Sequence, residues 1–206
     1  MQSTDGVDRN VPARRRCLVI SLASLWLPIL LAGLAVFMAS SVIHMFLPWH
    51  RNDVAGVPRE DDFMAAVGPF DLPAGDYMVP HAHGDAEVMK SAEFRAKVEQ
   101  GPVMFMTVMP RGNPFGMGAQ MAQWFGYCLL VAIFAAYVGS HAVPAGGDYL
   151  SVFRFTGATA FAGFALGLPQ RSIWYRLSWS TTAKGMFDGL IYAGLVAGIF
   201  GWLWPA

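Results

Sequence analysis

The sequence predicts an all-α transmembrane bundle of four spans, with three as the alternative, and a small α/β extramembrane segment between the first two. Three observations carry this. Of 206 residues, 55% are hydrophobic and only 14% charged, against about 25% charged in a soluble domain. No Asp, Glu, Lys or Arg occurs from Cys17 through His50 or from Gly112 through Gly147, and a helix needs roughly 20 apolar residues to cross the hydrocarbon. Between those stretches, residues 51–111 carry ten acidic against six basic residues, which suits a solvated segment.

Residues 1–16 read as a polar cytoplasmic tail ending in Arg14, Arg15 and Arg16. The first span, 17–46, continues well past the roughly 7–15 apolar residues of a signal core, so a retained signal-anchor is expected. Pro28 lies inside it and is expected to free the Ser24 carbonyl and kink the helix. Short flanks rich in Lys and Arg resist translocation, which keeps the tail inside and sends 47–121 outside. Cys17 and Cys128 fall in apolar segments and read as small apolar residues.

Within 47–121, "VPREDDFMAAVG" has the marks of a short helix, with Glu60, Asp61 and Asp62 in the first turn and Gly68 as a stop. Residues 76–79 read as a short extended piece. "DAEVMKSAEFRAKVEQG" reads as one helix, capped by Asp85, supported by Glu93 and Lys97 four apart and closed by Gly101. "VMFMTVM" at 103–109 reads as a strand apolar on both faces, implying cover on each. A segment of this size makes a marginal core alone, so it is expected to rest on its own spans or on another protein.

The second span is 122–143, with Trp124, Tyr127 and Tyr137 near its edges. "PAGGD" turns the chain into a third span, 149–168, where Arg154 lies about one turn in and can snorkel to the interface. Residues 169–183 mix Arg171, Arg176, Trp174, Tyr175 and Trp179, a headgroup-region composition, and read as an interfacial loop. The fourth span, 184–204, is expected to be capped by Ser180, Thr181 or Thr182. Four spans return both termini to the cytoplasm. They also place the basic 169–183 loop outside, against the positive-inside tendency, which a three-span chain would restore.

The last span carries Gly185, Gly189, Ala193, Ala197 and Gly201 four apart, and the third adds Gly163 and Gly167. Helices in lipid associate through close backbone contact at small residues, so these faces pack helices, within the bundle or between chains. Asp188 is an intramembrane charge, four residues after Lys184. Such groups are functional suspects, but Lys184, Arg176 or Arg171 can neutralise it. A relay would need a second acidic group or histidine at depth, and none is evident in the spacing.

"VPHAHGDAEVMK" places His81, His83, Asp85 and Glu87 at alternate positions. Imidazole suits zinc or copper, and nearby methionines suit Cu(I). A helix starting at Asp85 turns Glu87 away, which leaves His81 and His83 as a pair of ligands for copper or zinc. No GxSxG, HExxH or GxxxxGK[ST] pattern occurs, so no catalytic residue, enzyme activity or obligatory cofactor is expected. The zero net charge does not suggest nucleic acid.

"WSTTAKGMFDGLIYAGLVAGIFGWLWP", with "GPVMFMTVMP" before the second span, resembles uncharacterised bacterial inner-membrane proteins of about this size. That likeness implies a multi-pass bacterial inner-membrane location and carries no catalytic site. The expected role is an accessory or interaction component of a membrane assembly, with a protein partner or a second copy beside the lipid. Copper or zinc handling outside the membrane and proton-coupled transport through Asp188 are the alternatives.

Overall fold

The computed structural model describes residues 20–112 and 116–206. The tail, the arginine cluster and Cys17 lie outside the described residues. A 3₁₀ turn at Leu22–Leu25 leads into α1 (Trp26–Met45). The segment between the first two long helices holds α2 (Glu60–Val67), β1 (Gly75–Val79), α3 (Ala86–Lys90), α4 (Ala92–Gln100) and β2 (Met104–Val108). Then come α5 (Gly118–Ala142), α6 (Tyr149–Phe161), a π-helical turn at Ala162–Leu166, α7 (Leu168–Tyr175) and α8 (Trp179–Trp202). Four helical stretches are long and apolar enough to cross a membrane: Leu22–Met45, Gly118–Ala142, Tyr149–Tyr175 and Trp179–Trp202.

The four spans form a closed ring in which α1 packs on α5, α5 on α6, α6 on α8 and α8 on α1. Its interior is built from small and branched residues. Ala32, Val36, Ala132, Ala135, Ala136, Val152, Ala160 and Val196 are buried, and Phe200 is fully enclosed among them. The bulkier groups Leu30, Leu34, Met38, Ile133, Phe134 and Leu190 face outward. Lipid solvates leucine as well as a protein core does, so close approach of backbones, rather than escape from water, holds the ring together.

The small-residue stripe of α8 is filled by the same chain. A Cβ on Gly189 would stand 2.8 Å from the Ala165 Cβ, one on Gly201 would enter the Tyr149 ring, and Gly157 leaves room for Ala197 at 3.0 Å. Gly163 faces Val131 at 3.0 Å and Gly185 faces Leu168 at 3.1 Å, whereas Gly167 has nothing within 4 Å.

Several boundaries differ from expectation. Pro28 falls in the first turn of α1, where backbone N–H groups have no intrahelical acceptor to lose, so it starts the helix instead of kinking its middle. The segment 169–183 is mostly helical. The third span continues through the π turn into α7, and α8 begins at Trp179, five residues before Lys184. Ser172 and Thr182 account for part of this, since their buried hydroxyls bond each other at 2.5 Å and tie α7 to α8. Thr182 therefore lies inside α8 and does not cap it.

Outside the spans, β1 and β2 pair antiparallel, with Gly75 opposite Val108 and Val79 opposite Met104. Only one face of β2 is half-covered; Phe105 on the other is 50% exposed and meets the Tyr175 ring edge-on at 5.3 Å. Among the described residues the helical part of the expected cover does not form, because α3 and α4 pack mainly on each other. The single helix expected from Asp85 to Gly101 breaks at Ser91. Its hydroxyl bonds the Val88 carbonyl at 2.7 Å and accepts from the Phe94 N–H at 3.1 Å, ending one helix and capping the next.

Gly189→Ala should lower the thermal midpoint in detergent by an amount equivalent to about 1–3 kcal/mol of overpacking. Gly167→Ala should be neutral or slightly stabilising, since alanine favours the helix. Equal midpoints for the two variants would contradict the packing described.

Candidate functional site

Polar groups gather at the end of the bundle that carries the extramembrane segment. Helix α1 ends at Met45, and Pro48 opens a 3₁₀ turn over Pro48–His50, its fixed φ suiting a first helical position. This turn folds His50 and Asp53 back against α8. His50 there lies between two carboxylates, its Nδ1 2.5 Å from Asp53 Oδ2 and its Nε2 2.7 Å from Asp188 Oδ2. Lys184 donates to Asp53 Oδ1 at 2.6 Å and to the Trp49 carbonyl at 2.9 Å. The ring of His44, on the last turn of α1, stands 4.4 Å from the His50 ring, tilted by 33°.

Asp188 is 3% exposed. It lies nine residues after Trp179, roughly 14 Å along the helix at 1.5 Å per residue, deeper in α8 than a helix starting at Lys184 implied. Its partner is His50, not Lys184, Arg171 or Arg176. Lys184 is drawn off by Asp53, a residue in the turn after α1 whose approach has no local signal. The acceptor-donor groups expected to be absent near Asp188 are supplied by His44 and His50, from an element 138 residues away in sequence at His50. Arg154 is exposed on α6, away from this cluster, and makes no ion pair among the described residues.

The cluster opens on a cleft of about 590 Å³ between the ends of α1, α5, α7 and α8. Its inner wall is aromatic. Trp124 stacks on Tyr127 at 5.7 Å, and Phe164 meets Tyr192 edge-on at 5.5 Å. The π turn shapes this wall, for Tyr127 donates its hydroxyl to the Gly163 carbonyl at 2.6 Å. Trp124 donates to Ser40 Oγ at 2.7 Å, joining α5 to α1. Tyr192 stands one turn beyond Asp188, is 4% exposed and lines the same cleft. Its hydroxyl has no hydrogen-bond partner among the described residues. A buried hydroxyl left without a partner costs about 1–3 kcal/mol.

The ligand atoms of His44, His50 and Asp188 all lie within 4.8 Å of one another. The histidines of the outer turn are arranged otherwise. The His81 and His83 rings meet edge-on at 4.7 Å, and His81 Nδ1 accepts from the His83 N–H at 3.3 Å. Asp85 is spent capping α3, and Glu87 pairs with Lys90 at 3.0 Å. Among the described residues, His81 and His83 gather no third ligand, and two do not close a metal site.

No family model matches the chain, and no curated protein or solved structure is significantly similar to it.

The Asp53 carboxyl is held below its ordinary value, first by the Lys184 hydrogen bond and then by His50. A carboxylate depressed in the folded state stabilises the fold above the unfolded group's value, about 3.9, and that contribution is lost as pH falls through the lower folded value. Thermal melts from pH 6 down to pH 3 should show an acid loss of stability that shrinks in Asp53→Asn. An identical acid limb in the variant would refute the pairing.

Proposed function

We propose that the protein is a cation-handling membrane protein whose cleft admits a cation to Asp188 at the water-facing end of the bundle. The observation that carries this is the site's position and composition. A buried carboxylate within a span is held by a histidine from outside it, beside an open cleft and an unpartnered tyrosine hydroxyl. Ionisable groups in spans are costly unless they pair or face a water-filled cavity, and they mark ion paths. The Arg14–Arg16 cluster and the resemblance to bacterial proteins support an inner-membrane location with the N-terminus cytoplasmic, which would turn the cleft towards the periplasm.

A second reading, an accessory component of a membrane assembly, is favoured by the hairpin. Val103, Phe105 and Met109 are each at least half exposed outside the spans, and an apolar surface there suits a partner protein. Phe105→Asp should release any stoichiometric partner that copurifies with the wild-type chain in mild detergent. Retention of that partner would remove the hairpin from the interface.

The cation reading is tested by thermal unfolding of the full chain, stripped with chelator, across alkali, alkaline-earth and divalent transition-metal ions. At least one ion should raise the midpoint in the wild type and not in Asp188→Asn. At a hundredfold excess over Kd the gain is about 2.7 kcal/mol. No response to any ion would overturn the proposal.

A further inference from the structure

Resting on the cation reading, we infer that the ion is a divalent first-row transition metal, held by His44, His50 and Asp188. The donor chemistry selects it. Calcium and magnesium prefer shells of oxygen donors, and Cu(I) prefers thiolate or thioether, whereas two imidazoles and one carboxylate suit zinc and its neighbours. Charge agrees with this choice. Lys184 neutralises Asp53, leaving Asp188 as the carboxylate that faces both rings, while Arg171 stands exposed at the cleft rim.

The geometry needs little change. Ligand atoms about 2.0–2.1 Å from a tetrahedral ion stand about 3.3 Å from one another. The present separations reach at most 4.8 Å, and the 2.7 Å between His50 Nε2 and Asp188 must open slightly. The exposed His44 ring, seated beside that of His50, makes no hydrogen bond among the described residues and can turn towards the ion.

The surroundings are those of a ligand set prepared in advance. A metal-binding imidazole commonly gives its other N–H to a carboxylate, which orients the ring. Asp53 stands in that position at His50 Nδ1, and Lys184 in turn holds Asp53. Three protein ligands leave a fourth position open, and all three of these residues line the cleft. Tyr192, whose hydroxyl has no partner among the described residues, lines the same cleft. A site with an open, water-facing position is suited to taking up and releasing a metal.

The test is a titration of the chelator-stripped full chain in detergent with Co(II), which adopts zinc's geometry and then absorbs visible light. One equivalent should generate the absorption, and Zn(II) should discharge it. His44→Ala, a change at an exposed side chain that leaves the fold intact, should weaken Co(II) binding at least tenfold, and Asp53→Asn by about 10–100-fold. Replacing both His81 and His83 with alanine should leave binding unchanged. An absorption insensitive to His44→Ala, or lost with His81 and His83, would overturn the assignment. If Co(II) gives no absorption while an alkali or alkaline-earth ion still raises the thermal midpoint through Asp188, the transition-metal inference fails and the cation reading survives.

Discussion

The packing of Gly189 against Ala165 is the contact on which the polar end of the molecule depends. Lipid supplies no hydrophobic force between helices, so α8 is held in place by how closely its backbone approaches its neighbours. The missing side chain at Gly189 lets the π turn come within a distance no Cβ would permit. That contact sets the rotation of α8. Asp188, adjacent in sequence, and Tyr192, one turn on, are thereby turned into the cleft and away from lipid. A shift of one residue along α8 would rotate both by about 100° and dissolve the site.

The second constraint is the cost of a carboxylate within a span. Asp188 is tolerable because His50 meets it, and His50 is in turn fixed by Asp53 and, through Asp53, by Lys184. The chain thus returns to the mouth of the bundle immediately after α1 and seals one side with charge-assisted hydrogen bonds, which are stronger than neutral ones. The opposite side is shaped by the π turn and the Trp124–Tyr127 stack. The aromatic wall thus faces a set of polar groups held by their own hydrogen bonds across the cleft.

The extramembrane segment follows a different economy. Its elements are short, α3 and α4 are capped locally by Asp85 and Ser91, and its hairpin meets the bundle where Phe105 packs on Tyr175. With few apolar groups enclosed, its order depends on turns, caps and the two-stranded ladder.

The sequence by itself determined the membrane class, three or four apolar spans, the helix–strand character of the intervening segment and the small faces by which helices meet; the structure decided for four. Each of these follows from local composition or period, which neighbouring residues express together. The Glu93–Lys97 pair and the cap at Asp85 were legible for the same reason. Only the tertiary structure decided the site. His81, His83, Asp85 and Glu87 form the conspicuous ligand pattern, yet local capping and pairing use up its carboxylates. His44 and His50, spaced without any motif, meet Asp188 because ring closure brings the end of α1 against α8. The physical reason is that a ligand set needs side chains converging on one point, and convergence is a property of helix rotation and packing, to which spacing along one segment is blind.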